Sequence, residues 1–289
     1  MLAKNRAYRK GITILRQIPR YLKLATTNRE DCYTHPPVLC QSFAKSGTHL
    51  LLQIVGGFPG VVHYGTFLTD RPSLTFKFLP PDKIRTRLGR LAPSEMVGAH
   101  LPYDESFEEI LIDRNVVHFF IYRDPRDVVI SEAYYLTMMN PWHRLHRYFK
   151  ALPDMNARIL LAIEGIKDPN CPYYYPDISK RFAPHGLWIQ RENVFPVRFE
   201  ELVTDRREKT VRQMLDFYLA HTRNTYQTLE KAVFVRRALE AINPKKSHTF
   251  REGKVGGWQN KFSKKHCDIF KQVAGQLLVE LDYEVNLNW

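Results

Sequence analysis

From Pro36 onward, short apolar runs alternate with longer stretches in which apolar residues recur at helical spacing. Runs rich in β-branched and aromatic residues predict buried strands, and strands that alternate with helices are typical of a parallel sheet. The strands are predicted at Val38–Phe43, Glu95–His100, Val116–Tyr122 and Val194–Phe199. The pattern therefore predicts a single α/β domain over residues 36–289, with a central parallel β-sheet flanked by helices.

Helices are predicted where apolar residues fall on one face. One follows the first strand, a second runs from residue 125 to about residue 137, and two more cover Arg207–Ala220 and Lys264–Leu281. Two stretches between these elements, Phe58–Pro93 and Met138–Gly186, are rich in proline and aromatic residues and are predicted to be irregular. Long insertions on an α/β scaffold commonly carry binding residues, so we expect both to contribute to a ligand site.

Composition excludes several classes of protein. Hydrophobic residues make up 44% of the 289 residues and charged residues 25%, as is usual in a globular domain. No apolar run reaches the ~18 residues expected of a membrane span. The cysteines show neither paired nor metal-ligand spacing, so we expect no disulfide framework, no metal site and a reducing, cytoplasmic compartment. These cysteines are Cys32, Cys40, Cys171 and Cys267.

The chain is strongly basic, with a formal net charge of +13. Such a charge suits a polyanionic partner, namely nucleic acid, an anionic membrane or a phosphorylated small molecule, although it also simply aids solubility. Residues 1–35 are predicted to form a basic helical extension, because no acidic residue precedes Glu30 and apolar residues recur at helical spacing. Such a helix is an organelle presequence, a membrane-surface helix or a helix docked on the domain.

A first candidate site is the turn Ser42-Phe-Ala-Lys-Ser-Gly-Thr48, between a predicted strand and a helix. The backbone N–H groups and the dipole at a helix start attract anions, and Lys45 adds a full positive charge, so the turn is suited to a phosphate group. It differs from the nucleoside-triphosphate loop GxxxxGK[ST], because Lys45 precedes Gly47. An ordinary helix cap is the alternative.

Two further motifs also lie at turns. In Arg123-Asp-Pro-Arg-Asp-Val-Val-Ile-Ser131, which follows the most apolar strand, Arg123 and Ser131 are placed to hold a second anion. The alternatives are that Asp124 holds magnesium in a phosphoryl-transfer enzyme, or that the segment is only a capped helix start. The segment Phe250-Arg-Glu-Gly-Lys-Val-Gly-Gly-Trp258 is glycine-rich and basic, and it either folds over a phosphate or forms a surface turn.

In this order and at these separations, the three motifs resemble those of the sulfotransferases that use 3′-phosphoadenylyl sulfate (PAPS). The resemblance covers about Pro36 to Phe262 and implies a P-loop-like fold, PAPS as the sulfuryl donor and no metal. The residues that it implies for donor binding are Lys45, Ser46, Gly47, Thr48, His49, Arg123, Ser131, Phe199, Arg251, Glu252 and Gly253. For Phe199, a position in the core is the alternative.

A fourth segment, Val97-Gly-Ala-His-Leu-Pro102, resembles the family's Thr-His-Leu-Pro segment. The resemblance implies that His100 is the catalytic base and that Lys45 stabilises negative charge on the oxygen that bridges sulfur and phosphorus. A histidine with a pKa near neutrality suits the removal of a proton from a hydroxyl or amine. A structural histidine is the alternative.

The sequence also departs from the family pattern. The positions where members frequently carry Trp, Lys, Lys and Asp are occupied by His49, Gly98, Glu252 and Gly257. The family's dimerisation signature is not recognisable around Gln259–Asp268, so the oligomeric state stays open.

Together these features predict a sulfotransferase that acts on a hydroxyl or amine of a small molecule or glycan. No nucleic-acid partner is expected, and the basic extension is a candidate for peripheral membrane contact. A P-loop kinase is the first alternative, but it requires the GK[ST] triplet, which is absent. A basic nucleic-acid or membrane-binding module is the second. It would place its basic residues on one helix face, whereas the motif residues lie at turns after strands.

Overall fold

The sheet is parallel throughout. The computed structural model describes residues 6–70, 78–243, 245 and 253–289, and within them five strands pair in the order β2-β3-β1-β4-β5. The strands are β1 (Val38–Ser42), β2 (Phe67–Thr69), β3 (Met96–His100), β4 (Val117–Tyr122) and β5 (Val194–Arg198). The predicted α/β fold is confirmed, and the predicted strands agree with β1, β3, β4 and β5 to within one residue at each end.

Helices connect and cover the strands. They are α1 (Arg6–Thr26), α2 (Thr48–Val55), α3 (Pro81–Leu88), α4 (Glu105–Asp113), α5 (Pro125–Tyr134), α6 (His146–Lys150), α7 (Met155–Glu164), α8 (Ile178–Gly186), α9 (Phe199–Val203), α10 (Arg207–Ala220), α11 (Thr228–Glu240) and α12 (Lys264–Glu280). Short 3₁₀ turns occur at Glu30–Tyr33, Leu187–Gln190 and Gly257–Asn260, and a π-helical turn, Tyr135–Met139, continues α5.

The core lies on both faces of the sheet. Side chains alternate along β1 and β4, so Cys40 and Phe119 pack with α2, α10 and α11, while Leu39 and Phe120 pack with α3 and α4. Burial on both faces explains why these strands are apolar at nearly every position. A third apolar cluster joins α5, α7, α8 and α12 and includes Phe43, directly after β1.

The two stretches predicted to be irregular contain regular elements, and that expectation was wrong. The first holds β2 and α3, and the second holds α6, α7 and α8. The polar and proline residues that suggested loops begin helices here, since Pro81 is the first residue of α3 and Asp154 caps α7. Some of the aromatic residues pack into the core, such as the buried Phe149 and Phe182, whereas Trp142 and Tyr174 are exposed.

The second half of α1 contacts the domain through polar side chains. Gln17 Nε2 donates to the carbonyl of Tyr64 at 2.7 Å, and Arg20 Nε pairs with Glu95 Oε1 at 2.6 Å, where the Glu95 side chain is fully buried. This geometry agrees with the docked-helix alternative for the extension. Among the helices of the described residues, none is long and apolar enough to cross a membrane.

Candidate active site

Parallel strands bring the predicted site residues to one edge of the sheet. The register pairs Ser42 of β1 with Ile121 of β4, and Gln41 of β1 with Ala99 of β3. The residues that follow in each strand therefore leave the sheet side by side. The turn at 42–48, His100 and Arg123 consequently face the same region, beyond the carboxyl ends of the strands.

The turn after β1 is tightly built around two left-handed residues. Lys45 has a φ of 70° and Gly47 a φ of 107°, and Gly47 precedes the first residue of α2. A Cβ on Gly47 would lie 2.6 Å from Phe199 Cδ2 and 3.2 Å from Ile121 Cδ1, so only glycine allows this approach. Thr48 and His49 then form the first turn of α2. This arrangement directs helix-start N–H groups toward the site.

His100 is joined to this turn by Ser42, a side chain to which the motifs assign no role. The His100 Nδ1 atom lies 3.0 Å from both the carbonyl oxygen and the hydroxyl of Ser42, and that hydroxyl lies 2.6 Å from Thr48 Oγ1. Because a carbonyl oxygen only accepts, Nδ1 carries the hydrogen, and the lone pair of the neutral ring is on Nε2. Ser42 thus orients the imidazole and leaves Nε2 as its accepting atom.

The surroundings of His100 favour its neutral form. Burial is the main cause that lowers the pKa of His100. The hydrogen bond to the Ser42 carbonyl opposes this effect, the nearby charge of Lys45 lowers the pKa further, and Asp70 has a smaller opposing effect. The ring of Phe67 contacts the imidazole edge-to-face, with centroids 4.9 Å apart. His185 is a second buried imidazole nearby, and burial lowers its pKa to about 4. Both rings are therefore neutral at physiological pH.

Lys45 lies over an aromatic ring that the sequence did not single out. Its Nζ atom is 4.1 Å from the ring centroid of Tyr135, the first residue of the π turn. A π turn inserts an extra residue into a helix and frequently occurs at functional sites. Tyr135 lies four residues after Ser131, where the turn continues the helix that follows Arg123. The contact between Lys45 and Tyr135 therefore joins the first motif to the second. No pattern in the sequence predicts such a π turn.

Arg123 makes contacts within its own motif, with the third motif and with Phe199. Its Nη2 atom donates to Asp127 Oδ2 at 3.1 Å and to the carbonyl of Lys254 at 2.6 Å, and its guanidinium carbon lies 4.5 Å from the ring centroid of Phe199. Phe199 itself is buried in the core cluster that includes α2. It is thus both a core residue and the wall between the turn after β1 and Arg123.

Asp127 links the third motif to the second through hydrogen bonds. Its buried carboxylate accepts from the N–H groups of Gly256 at 3.1 Å and Trp258 at 2.9 Å, in addition to its pair with Arg123. Burial raises the pKa of Asp127, whereas Arg123 and the Trp258 N–H oppose this effect. Gly253 is also left-handed, with a φ of 62°. The predicted donor-binding residues Arg251 and Glu252 lie outside the described residues.

The neighbouring Arg126 and Asp124 have structural roles. Asp124 caps α5 by accepting from the Arg126 N–H at 2.8 Å, and its carboxylate also pairs with the Arg126 guanidinium. The guanidinium stacks on Trp258 at 3.9 Å and pairs with Glu284. Asp124, directly after β4, thus acts as a helix cap and ion-pair partner. These contacts favour the capped-helix alternative over the alternative that Asp124 holds magnesium.

Two buried polar atoms in the motifs have no hydrogen-bond partner within the described part of the chain. They are Ser46 Oγ and Arg123 Nε. Buried polar groups are normally paired, so each such atom calls for a partner that belongs to the working site. Both are of a type that donates to phosphate oxygens.

Comparison with known proteins places this geometry in a family. The family model described as sulfotransferase domain matches residues 35–282. The chain belongs to the sulfotransferase family. The prediction made from the motifs is confirmed.

Solved structures show the same fold in other sulfotransferases. The crystal structure of mouse sulfotransferase SULT7A1 complexed with PAP matches with a TM-score of 0.57 and 19% identity, over 88% of each chain. That of retinol dehydratase in a complex with retinol and PAP matches with a TM-score of 0.51 and 15% identity, over 90% of this chain and 86% of that one. At these identities the likeness is one of fold. A search of curated protein sequences found no match.

Proposed function

We propose that this sulfotransferase transfers the sulfuryl group of PAPS to a hydroxyl or amine of a small molecule, with His100 as the general base. The observation that carries the proposal is the chain of contacts from His100 Nδ1 through the Ser42 hydroxyl to Thr48. It couples the base to the anion-binding turn at the carboxyl edge of the sheet. Transfer of a group from one bound substrate to another requires that the base, which serves the acceptor, lies next to the anion site, which holds the donor.

The residues fit the donor. Both structural neighbours were solved with PAP, the desulfated form of such a donor. We assign Ser46 Oγ and the N–H groups at the start of α2 to one phosphate and Arg123 Nε to the other; the unpartnered Ser46 Oγ and Arg123 Nε and the contact of Arg123 with Phe199 support this assignment. The third motif, held by Asp127, borders the Arg123 side. When bound, PAPS supplies an activated sulfuryl group.

The chemical roles follow from charge and protonation. Nε2 of His100 accepts the proton of the attacking hydroxyl or amine, because Nδ1 is held as a donor by the Ser42 carbonyl. Lys45 places a positive charge beside the turn, where negative charge develops on the leaving phosphate oxygen. Its contact with Tyr135 limits the positions that this flexible side chain can occupy.

The acceptor side is bordered by an aromatic wall. The ring of Phe67 lies over Gly98, where a Cβ would be only 2.7 Å from the ring, and it contacts His100. About 38% of Phe67 is exposed, so the ring offers an apolar surface next to the base. This favours an acceptor that carries an aromatic or aliphatic group beside its nucleophilic atom.

The proposal is tested by incubating the purified chain with PAPS and panels of phenols, alcohols, amines and sugars, with product masses measured. We expect a mass gain of one sulfuryl group for apolar acceptors, dependent on PAPS and independent of magnesium. The His100→Gln variant should bind PAP normally in calorimetry and form no product. Product formation by this variant would place the base elsewhere, with Glu105 the next residue to test. Phosphorylation of an acceptor with MgATP, without PAPS, would contradict the proposal and support the kinase alternative.

A further inference from the structure

The orientation of α1 is the reverse of that of a helix docked by its apolar face. Among the α1 side chains that the structure describes, residue 15 and residues 17–26, those that hydrogen-bond to the domain are Gln17 and Arg20, which contact Tyr64, Glu95 and the carbonyl of Arg90. An amphipathic helix on a globular domain ordinarily buries its apolar stripe and exposes its polar face. In α1 the polar face contacts the domain.

The opposite side of α1 presents apolar side chains to solvent. Leu15, Ile18 and Leu22 are 64%, 55% and 63% exposed, and their spacing of three and four residues places them on one face. Tyr21, at the edge of this stripe, is 63% exposed. A contiguous apolar stripe of this kind marks an interaction surface, whereas scattered single residues do not.

The charge of the segment indicates what covers this stripe. Residues 4–29 carry eight Lys and Arg residues and no acidic residue. We propose that α1 is a docking helix for an anionic lipid surface, with Leu15, Ile18 and Leu22 inserted at the level of the acyl chains. A basic helix with a separate apolar face binds in the plane of such an interface, and a tyrosine at the edge suits the headgroup level.

Other occupants fit less well. A second copy of the chain would bring two strongly positive segments together, which opposes association. Nucleic acid would contact basic residues, yet the stripe that faces away from the domain is apolar. The contacts of Gln17 with Thr66 and of Arg20 with Glu95 hold the helix at the amino ends of β2 and β3, on the opposite edge of the sheet from the candidate site.

The test is vesicle co-sedimentation of the full chain. Vesicles of phosphatidylcholine alone are compared with vesicles of equal parts phosphatidylcholine and phosphatidylglycerol, at low and high salt. We expect binding to the anionic vesicles only, weakened by salt because charges are screened. The variant Leu15→Ser/Ile18→Ser/Leu22→Ser should bind about tenfold more weakly or worse.

The matched control removes three exposed apolar side chains elsewhere, as Ile112→Ser/Leu229→Ser/Val285→Ser, and should bind like the unchanged chain. Circular dichroism melts confirm folding, and Ile18→Ser alone replaces the triple variant if that variant unfolds. Equal binding to both vesicle types, no binding, or a stripe variant that binds like the control would overturn the proposal. So would a dimer in light scattering that the stripe variant abolishes, since a second copy would then occupy the face.

Discussion

The contact between Gly98 and Phe67 gives a sharp test of how the acceptor side is built. In Gly98→Ala, the added Cβ would lie 2.7 Å from Phe67 Cδ2 and 2.8 Å from Cε2, about 0.7 Å short of ordinary contact at 3.4 Å. Phe67 is on the edge strand β2 and partly exposed, so its ring is free to retreat toward solvent. Retreat breaks the edge-to-face contact with His100.

The expected size of the effect follows from that contact. An edge-to-face aromatic pair contributes about 0.5–1.5 kcal/mol beyond its buried area, which corresponds to a change of about 2- to 12-fold. We expect Gly98→Ala and Phe67→Ala each to lower kcat/KM for an aromatic acceptor within this range. Because burial is the main cause that lowers the pKa of His100, uncovering the ring raises that pKa. The acid limb of the kcat/KM profile should therefore move to higher pH in both variants.

The assay is a double-mutant cycle measured with PAPS and one aromatic acceptor over a range of pH. Gly98→Ala/Phe67→Ala should be no worse than either single variant, since both act through the same ring. Gly89→Ala serves as a control, because its Cβ would be 3.4 Å from the nearest atom and far from the site, and it should leave kcat/KM unchanged. Additive losses with an unmoved acid limb would refute the reasoning.

Four further predictions concern the motifs. In the unchanged enzyme, kcat/KM should be level at neutral pH and fall only below the ordinary histidine pKa of 6.5, because His100 must be neutral and its pKa is lowered. A fall in kcat/KM that begins above pH 7 would contradict this expectation. Lys45→Met should cost about 3 kcal/mol, mainly in kcat, and should raise the pH of the acid limb, both measured by pre-steady-state kinetics. Tyr135→Leu should lower kcat whereas Tyr135→Phe should not, since the ring alone contacts Lys45; equal kcat values would remove Tyr135 from the site. Asp127→Asn should weaken PAP binding in calorimetry by about tenfold or more, because the loop at 256–258 loses a charged acceptor, while kcat at saturating PAPS stays close to normal.

Local sequence pattern is enough to specify the scaffold and the position of the candidate anion sites. The strands β1, β3 and β4 are buried on both faces, so each is a nearly continuous apolar run that such a pattern reveals, and the edge strand β5 is apolar at most of its positions. Parallel pairing then brings the residues after these strands to one edge, which is why the sequence alone identifies the turn at 42–48, His100 and Arg123 as one site. These features depend on local spacing and on a general rule of sheet topology.

Long-range packing supplies the contacts that join those residues in the candidate site. Ser42 and His100 are 58 positions apart and Asp127 and Gly256 are 129 apart, so no periodicity within one segment predicts either hydrogen bond. The strand β2 has only three residues and exists because β3 offers it a pairing edge, which in turn sets Phe67 over Gly98. The helices of the second insertion form because their aromatic residues find a core supplied by α5 and α12. In each case the stabilising partner is remote in sequence, and only the folded chain brings it into contact.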